Sequence, residues 1–137
     1  MFRKEGNRLI RLKNKVIDLE RDIQRLTEDN LQEIFGLKFV ATEFSVQNFR
    51  FDTVAFDEST KAFVIIEYKK DKNISVVDQA LAYLSTMLNN KAEFLLLYHK
   101  KFNKEIEKEG VEWSQSRIIL IADSFTKYQE NAIRFKD

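Results

Sequence analysis

The sequence predicts an α/β fold of mixed α+β character, with a mixed central sheet flanked by helices. Three observations carry this expectation. Apolar residues recur at helical spacing between Val16 and Ile34. Three extended segments rich in Phe, Val, Ile and Thr follow in close succession. Two further apolar runs, EFLLLY and RIILIA, then alternate with stretches of helical pattern, the order that builds parallel crossovers.

In chain order, Glu5-Gly6-Asn7 supplies turn chemistry between MFRK and RLIRL, so residues 1–15 are expected to form a small basic hairpin arm. Val16, Leu19, Ile23, Leu26, Leu31 and Ile34 mark the apolar stripe of a first helix from Val16 to Phe35, with Gly36 as its C-cap. Leu37 to Phe44, Phe49 to Phe56 and Ala62 to Lys69 are expected to pair as an antiparallel meander. Ser75, with Asp78 three residues later, is like a capping box. It starts a helix to about Asn90 whose expected buried stripe is Val76, Val77, Ala80, Leu81, Leu84 and Leu88. EFLLLY, Glu93 to Tyr98, is expected as a strand buried on both faces, reached by a right-handed parallel crossover. A charged helical piece around Phe102 to Glu109, another buried strand from Arg117 to Ala122 and a last helix from Ser124 to about Arg134 complete the order.

Composition narrows the function. The 137 residues carry 23 Lys plus Arg against 22 Asp plus Glu, and 44% are hydrophobic, which excludes intrinsic disorder. No apolar run approaches the roughly 18 residues of a membrane span, and MFRKEGNRLIR lacks the apolar stretch of a signal peptide. A soluble cytoplasmic protein with no membrane partner is expected. The absence of Cys excludes disulfides, thiolate catalysis and Cys-based zinc sites, and the lone His99 excludes multi-histidine metal sites. Metal chemistry would rest on carboxylates and hard cations. One domain over residues 1–137 is expected, an arm (1–15) and a core (16–137). Because AIRFKD closes with no motif, the chain is expected to be the N-terminal part of a longer protein with further domains.

Asp52 and Glu67 lie inside otherwise hydrophobic strands, where an ionisable group needs a reason. A turn centred between Ser59 and Thr60 pairs Phe56 with Phe63 and Asp52 with Glu67, bringing paired Cβ atoms to about 5 Å. Lys69, two residues on, projects from the same face. Carboxylates this close repel unless a cation lies between them, and an oxygen-rich pair with room for water suits Mg2+. The plainer alternative is a surface ion-pair cluster. Glu20 falls on the shoulder of the first helix's inward stripe and would add a third carboxylate, with Glu28 and Glu33 as alternatives. Gln79 and Tyr83 stand one turn apart on the flank of the next helix, where they would meet substrate or catalytic water, or else form ordinary helix surface.

A helix acid, then Asp52, then E-x-K as Glu67-Tyr68-Lys69, then Q-x-x-x-Y as Gln79 and Tyr83, resembles the PD-(D/E)xK nuclease superfamily. The branch with RecB-type and NucS-like nuclease domains is the most similar. The element order resembles that family's restriction-endonuclease-like αβββαβ core. NLQEIFGLKFVATEF and VVDQALAYLSTMLNN also look like the N-terminal part of longer, uncharacterised prokaryotic proteins with this fold. The resemblance covers roughly Leu19 to Ala122, and Phe51 stands before the aspartate where the family carries proline.

This resemblance implies a Mg2+-dependent deoxyribonuclease, with Mn2+ as a substitute ion, that hydrolyses phosphodiester bonds of DNA. Asp52 and Glu67 would bind the metal with the backbone carbonyl of Tyr68, and Glu20 would join directly or through water. Lys69 would orient or deprotonate the attacking water, with an electrostatic role favoured, while Gln79 and Tyr83 would position the phosphodiester. A net charge of +1 demands local attraction of DNA, from the basic arm, from Lys70 and Lys72, or from Lys100, Lys101 and Lys104. His99 is read as a strand-end residue, and Trp113 and the many Phe as packing. The alternative function is a catalytically inactive nuclease-like fold that binds DNA or assembles with protein, including a second copy as a homodimer. The near-neutral charge and modest size favour it.

Overall fold

The computed structural model describes residues 19–69 and 76–122. The arm expected over residues 1–15, the cap at Ser75, the helix after Ser124, and Lys70 and Lys72 lie outside them. Helix α1 (Leu19–Asp29) and helix α2 (Leu31–Phe35) replace the single helix expected to reach Phe35. The break falls at Asn30, whose φ of −129° leaves the helical range and whose side-chain amide donates to the Leu26 carbonyl at 2.8 Å. Asn competes with the helix ladder in this way. Gly36 closes α2 as expected, at a φ of +69° that only glycine adopts freely, and donates its N–H to Gln32 at 2.9 Å.

Strands β1 (Lys38–Val46), β2 (Phe49–Asp57) and β3 (Ala62–Lys69) form the expected antiparallel meander, with Phe56 opposite Phe63 and Thr53 opposite Ile66. Helix α3 (Val76–Leu88) and helix α4 (Lys91–Phe102) follow. Short 3-10 turns at Lys108–Gly110 and Trp113–Gln115 then lead to β4 (Arg117–Ala122). β4 pairs parallel to β3, so the four-stranded mixed sheet has the order β1-β2-β3-β4. No described helix is long and apolar enough to cross a membrane.

The run EFLLLY is helix, not strand. It lies within KAEFLLLYHKKF, which contains no β-branched residue and is rich in Ala, Glu, Leu and Lys, all good helix formers. Phe94 and Tyr98, one turn apart, are buried, while Leu96 between them is exposed. That is burial with a helical period. The parallel partner of β3 is therefore β4, reached through both α3 and α4. The helical piece expected from Phe102 to Glu109 is also absent, because Asn103 turns to a φ of +54° and ends α4. His99 consequently sits in the last turn of α4, where its Nδ1 lies 3.2 Å from the Lys104 carbonyl.

Helices cover both faces of the sheet. Phe56, Phe63, Ile65, Val54 and Phe51 pack on Ala80 and Met87 of α3 and on Phe94 and Tyr98 of α4. Ala55, Val64, Ile66 and Tyr68 face the other way, toward Leu31 and Leu37, with Ile23 and Phe35 against them. Phe63 is the centre of the larger core, its ring 5.1 Å from Phe56, 5.6 Å from Phe94 and 5.6 Å from Trp113. The expected helix stripes are rotated: Leu81 and Leu88 of α3 and Leu26 and Ile34 of the first helices are exposed, whereas Met87 is fully buried. Inward positions of α3 are Ala80, Tyr83, Leu84 and Met87, because helix orientation is set by the sheet it meets. Phe63→Ala is expected to cost about 3–5 kcal/mol of unfolding free energy, and Leu81→Ala less than about 0.5 kcal/mol, as measured by chemical denaturation.

Candidate active site at the β2–β3 fork

β3 is central and covered on both faces, so every residue from Ala62 to Tyr68 is buried. Glu67 is among them, at 1% exposure. The paired ladder with β2 ends at Thr53 and Ile66, and past that point the two acids take over its hydrogen bonds. The Asp52 N–H donates to Glu67 Oε2 at 2.9 Å, and the Tyr68 N–H donates to Asp52 Oδ2 at 3.1 Å. The expected juxtaposition of Asp52 and Glu67 is thus present. Each carboxylate satisfies a backbone donor that the forking strands would otherwise leave unpaired.

The strand alternation slips at this place. Phe49 and Phe51 on one side of the fork and Val54 and Phe56 on the other all join the same core, so one residue too many lies between them. Across β1, the register sets Glu43 opposite Asp52, and Glu43 has a φ of +50°. The irregularity turns Asp52 out of the core toward the edge of the site, where its side chain keeps 13% exposure.

Glu67 and Asp52 stand in unlike environments. Burial, and then the charge of Asp52, push Glu67 up to about 8. Hydrogen bonds from the Asp52 N–H and the Tyr83 hydroxyl oppose that rise without cancelling it. At neutral pH Glu67 is therefore largely protonated. Tyr83 itself is raised well above the ordinary phenol range by burial and by the Glu67 and Asp52 carboxylates, so it remains a donor.

The other expected site residues divide. Tyr83 joins the acids directly, and Lys69 lies with its Nζ 5.9 Å from the Tyr83 ring centroid, on the same side of the sheet. Among the described residues Lys69 forms no ion pair with either acid, so its expected direct convergence with them is replaced by a contact through the tyrosine ring. Gln79 precedes Tyr83 by one helical turn, and its buried Oε1 has no hydrogen-bond partner among the described residues. Glu20 lies in α1 one turn before Gln24; its side chain, like Lys70 and Lys72, lies outside the described residues. Glu28, one turn after Gln24, accepts from the Gln24 amide at 3.1 Å and from Thr53 Oγ1 at 2.6 Å, and Glu33 is exposed on α2. Lys101 lies over the ring of Phe39, and Lys38 over that of Phe102. These contacts set the C-terminal end of α4, with Lys100 and Lys104 beside it, toward the β2–β3 turn rather than the fork.

Two residues of the site escaped the sequence. Gln24 donates its amide to the Asp52 carbonyl at 3.0 Å and to Glu28 at 3.1 Å, tying α1 to the fork. Arg50 reaches Asp52 Oδ1 and Glu43 Oε1, each at 3.5 Å. Their signals were positional: Gln24 one turn after Glu20, and Arg50 two residues before Asp52 on the same strand.

Glu67 has a folded pKa above its unfolded value, so the folded state binds the extra proton. Stability from this group is full below about 4.5 and is lost as pH rises toward about 8. Compared with Glu67→Gln, the wild-type protein is expected to lose melting temperature steadily across that window, as scanning calorimetry at a series of pH values would show.

The chain is 45% identical over all 137 residues to an uncharacterized protein of Haemophilus influenzae, and it spans 45% of that protein's length. No family model matches the chain, and no solved structure matches it.

Proposed function

We propose that this chain is a divalent-metal-dependent deoxyribonuclease domain of the PD-(D/E)xK type. The observation that carries the reading is the meeting of Asp52, Glu67 and Tyr83, with Lys69 against the tyrosine ring, at the point where β2 and β3 part. The order helix, three antiparallel strands, helices and a parallel strand resembles the core order of that superfamily.

The residues fit Mg2+. Their donors are oxygens only, and Mg2+ keeps several waters, so two carboxylates suffice as its protein anchors. Among the described residues no group of three or more His, Cys, Asp or Glu could hold a metal ion, so the two carboxylates would share the ion with water. Burial of Glu67 beside Asp52 disfavours its charged form, and a bound cation would relieve that penalty. Asp52, Glu67 and the Tyr68 carbonyl would hold Mg2+, or Mn2+ in its place. When bound, the ion would supply Lewis-acid polarisation of the scissile phosphodiester and stabilise the charge that develops there.

The chain's own groups do the rest. The Tyr83 phenol, held protonated, donates a hydrogen bond and fixes the Glu67 carboxyl. The buried Gln79 Oε1, an acceptor without a donor among the described residues, is suited to orient an attacking water. Lys69 brings positive charge to the same side and stabilises the phosphate in the transition state. A second reading is favoured by one observation: each acid already accepts a backbone N–H, so the pair also works as a staple in an inactive, nuclease-like module that binds DNA or protein.

The test is cleavage of plasmid and single-stranded DNA with Mg2+ or Mn2+. Asp52→Asn and Glu67→Gln are each expected to reduce the rate at least about 100-fold. Absence of cleavage by the wild-type chain, or cleavage unaffected by Asp52→Asn, overturns the catalytic reading.

A further inference from the structure

We infer that Arg50 is a phosphate-binding residue of this site besides Lys69, gripping the DNA backbone at the mouth of the β2–β3 fork, with Glu43 and Asp52 as its resting partners. The inference rests on the proposed nuclease reading for its ligand, a phosphodiester, and goes beyond it by assigning a further group that holds that ligand.

Three features of the structure carry it. Arg50 is exposed, and its guanidinium lies 3.5 Å from Glu43 Oε1 through Nη1 and 3.5 Å from Asp52 Oδ1 through Nη2. Both are long contacts to a mobile type of side chain at the surface, and pairs of this kind are weak and easily exchanged. The planar fork that now spans two carboxylates has the geometry to take two oxygens of one phosphate. Its strand neighbours are fixed: the rings of Phe49 and Phe51 lie 5.0 Å and 5.5 Å from that of Tyr83, which hydrogen-bonds Glu67. The base of the Arg50 side chain is therefore anchored at the rim of the acidic pair while its charged end is free to change partners.

Other described basic groups serve this purpose less well. Lys101 and Lys38 cover Phe39 and Phe102 toward the far end of the sheet, and Lys61 pairs with Glu58 at the β2–β3 turn. Glu43 sharpens the case. It occupies a left-handed backbone conformation, φ +50°, which disfavours a glutamate, yet it sets a carboxylate opposite Asp52 and beside Arg50. Such an anion competes with phosphate for the guanidinium.

Fluorescence anisotropy of labelled duplex and single-stranded DNA, in Ca2+ to exclude cleavage and at several salt concentrations, tests the assignment on the 137-residue chain. Arg50→Gln is expected to weaken binding about tenfold and to lower the slope of log K against log salt by about one, the signature of one lost phosphate contact. Arg50→Lys is expected to keep the slope but recover only part of the affinity. Glu43→Asn removes the competing anion and suits the left-handed backbone, so it is expected to tighten binding. An Arg50→Gln protein with unchanged affinity and slope overturns the inference, as does a wild-type chain with no affinity for DNA. A wild-type chain that binds DNA through Arg50 but does not cleave it with Mg2+ or Mn2+ supports this inference and overturns the catalytic reading alone.

Discussion

An acid set opposite an acid inside a sheet is the constraint on which the rest of this structure turns. Asp52 and Glu67 meet where the ladder between β2 and β3 stops, and their side chains accept the Asp52 and Tyr68 N–H groups that have no strand partner there. A buried backbone donor left unpaired is costly, and so is a buried carboxylate with nothing to bond. Each defect cures the other. The strands can separate at this point because the acids are present, and the acids tolerate burial because the strands separate.

The fork is held from both sides. On one face an aromatic core of Phe51, Phe63, Phe94 and Tyr98 fixes the two strands against α3 and α4. On the other face Thr53 donates to Glu28 at 2.6 Å and shares a 2.9 Å hydrogen bond with Tyr68, while Gln24 grips the Asp52 carbonyl. The residues that follow the two acids in sequence, Thr53 and Tyr68, thus point away from them and are locked. Side chains supported in this manner hold their geometry without an ordering cost when a ligand arrives.

Much of this was legible in the chain. Alternation in FRFDTVAFDESTKAFVIIEYKK, with one turn, was enough to pair Asp52 with Glu67, because the register of a short hairpin follows from its turn. EFLLLY misled, since a continuous apolar run suits a buried strand and a half-buried helix equally. The absence of Val, Ile and Thr from KAEFLLLYHKKF, against their abundance in AFVIIEYK and RIILIA, was the available discriminator. Arg50 and Gln24 were not legible, because their roles depend on partners, Glu43 and the Asp52 carbonyl, that only the folded sheet brings near.

The sequence by itself determined where helices and strands lie in most of the core, that β1 to β3 form a meander, and which two acids stand side by side. These properties are local: side-chain period, propensity and turn chemistry act over a few residues. Tertiary structure alone decided that Leu81 faces out while Met87 faces in, and that Glu67 loses its solvent and holds its proton near neutrality. Burial, helix rotation and the field at a carboxylate are sums over residues distant in the chain, and no local pattern contains them.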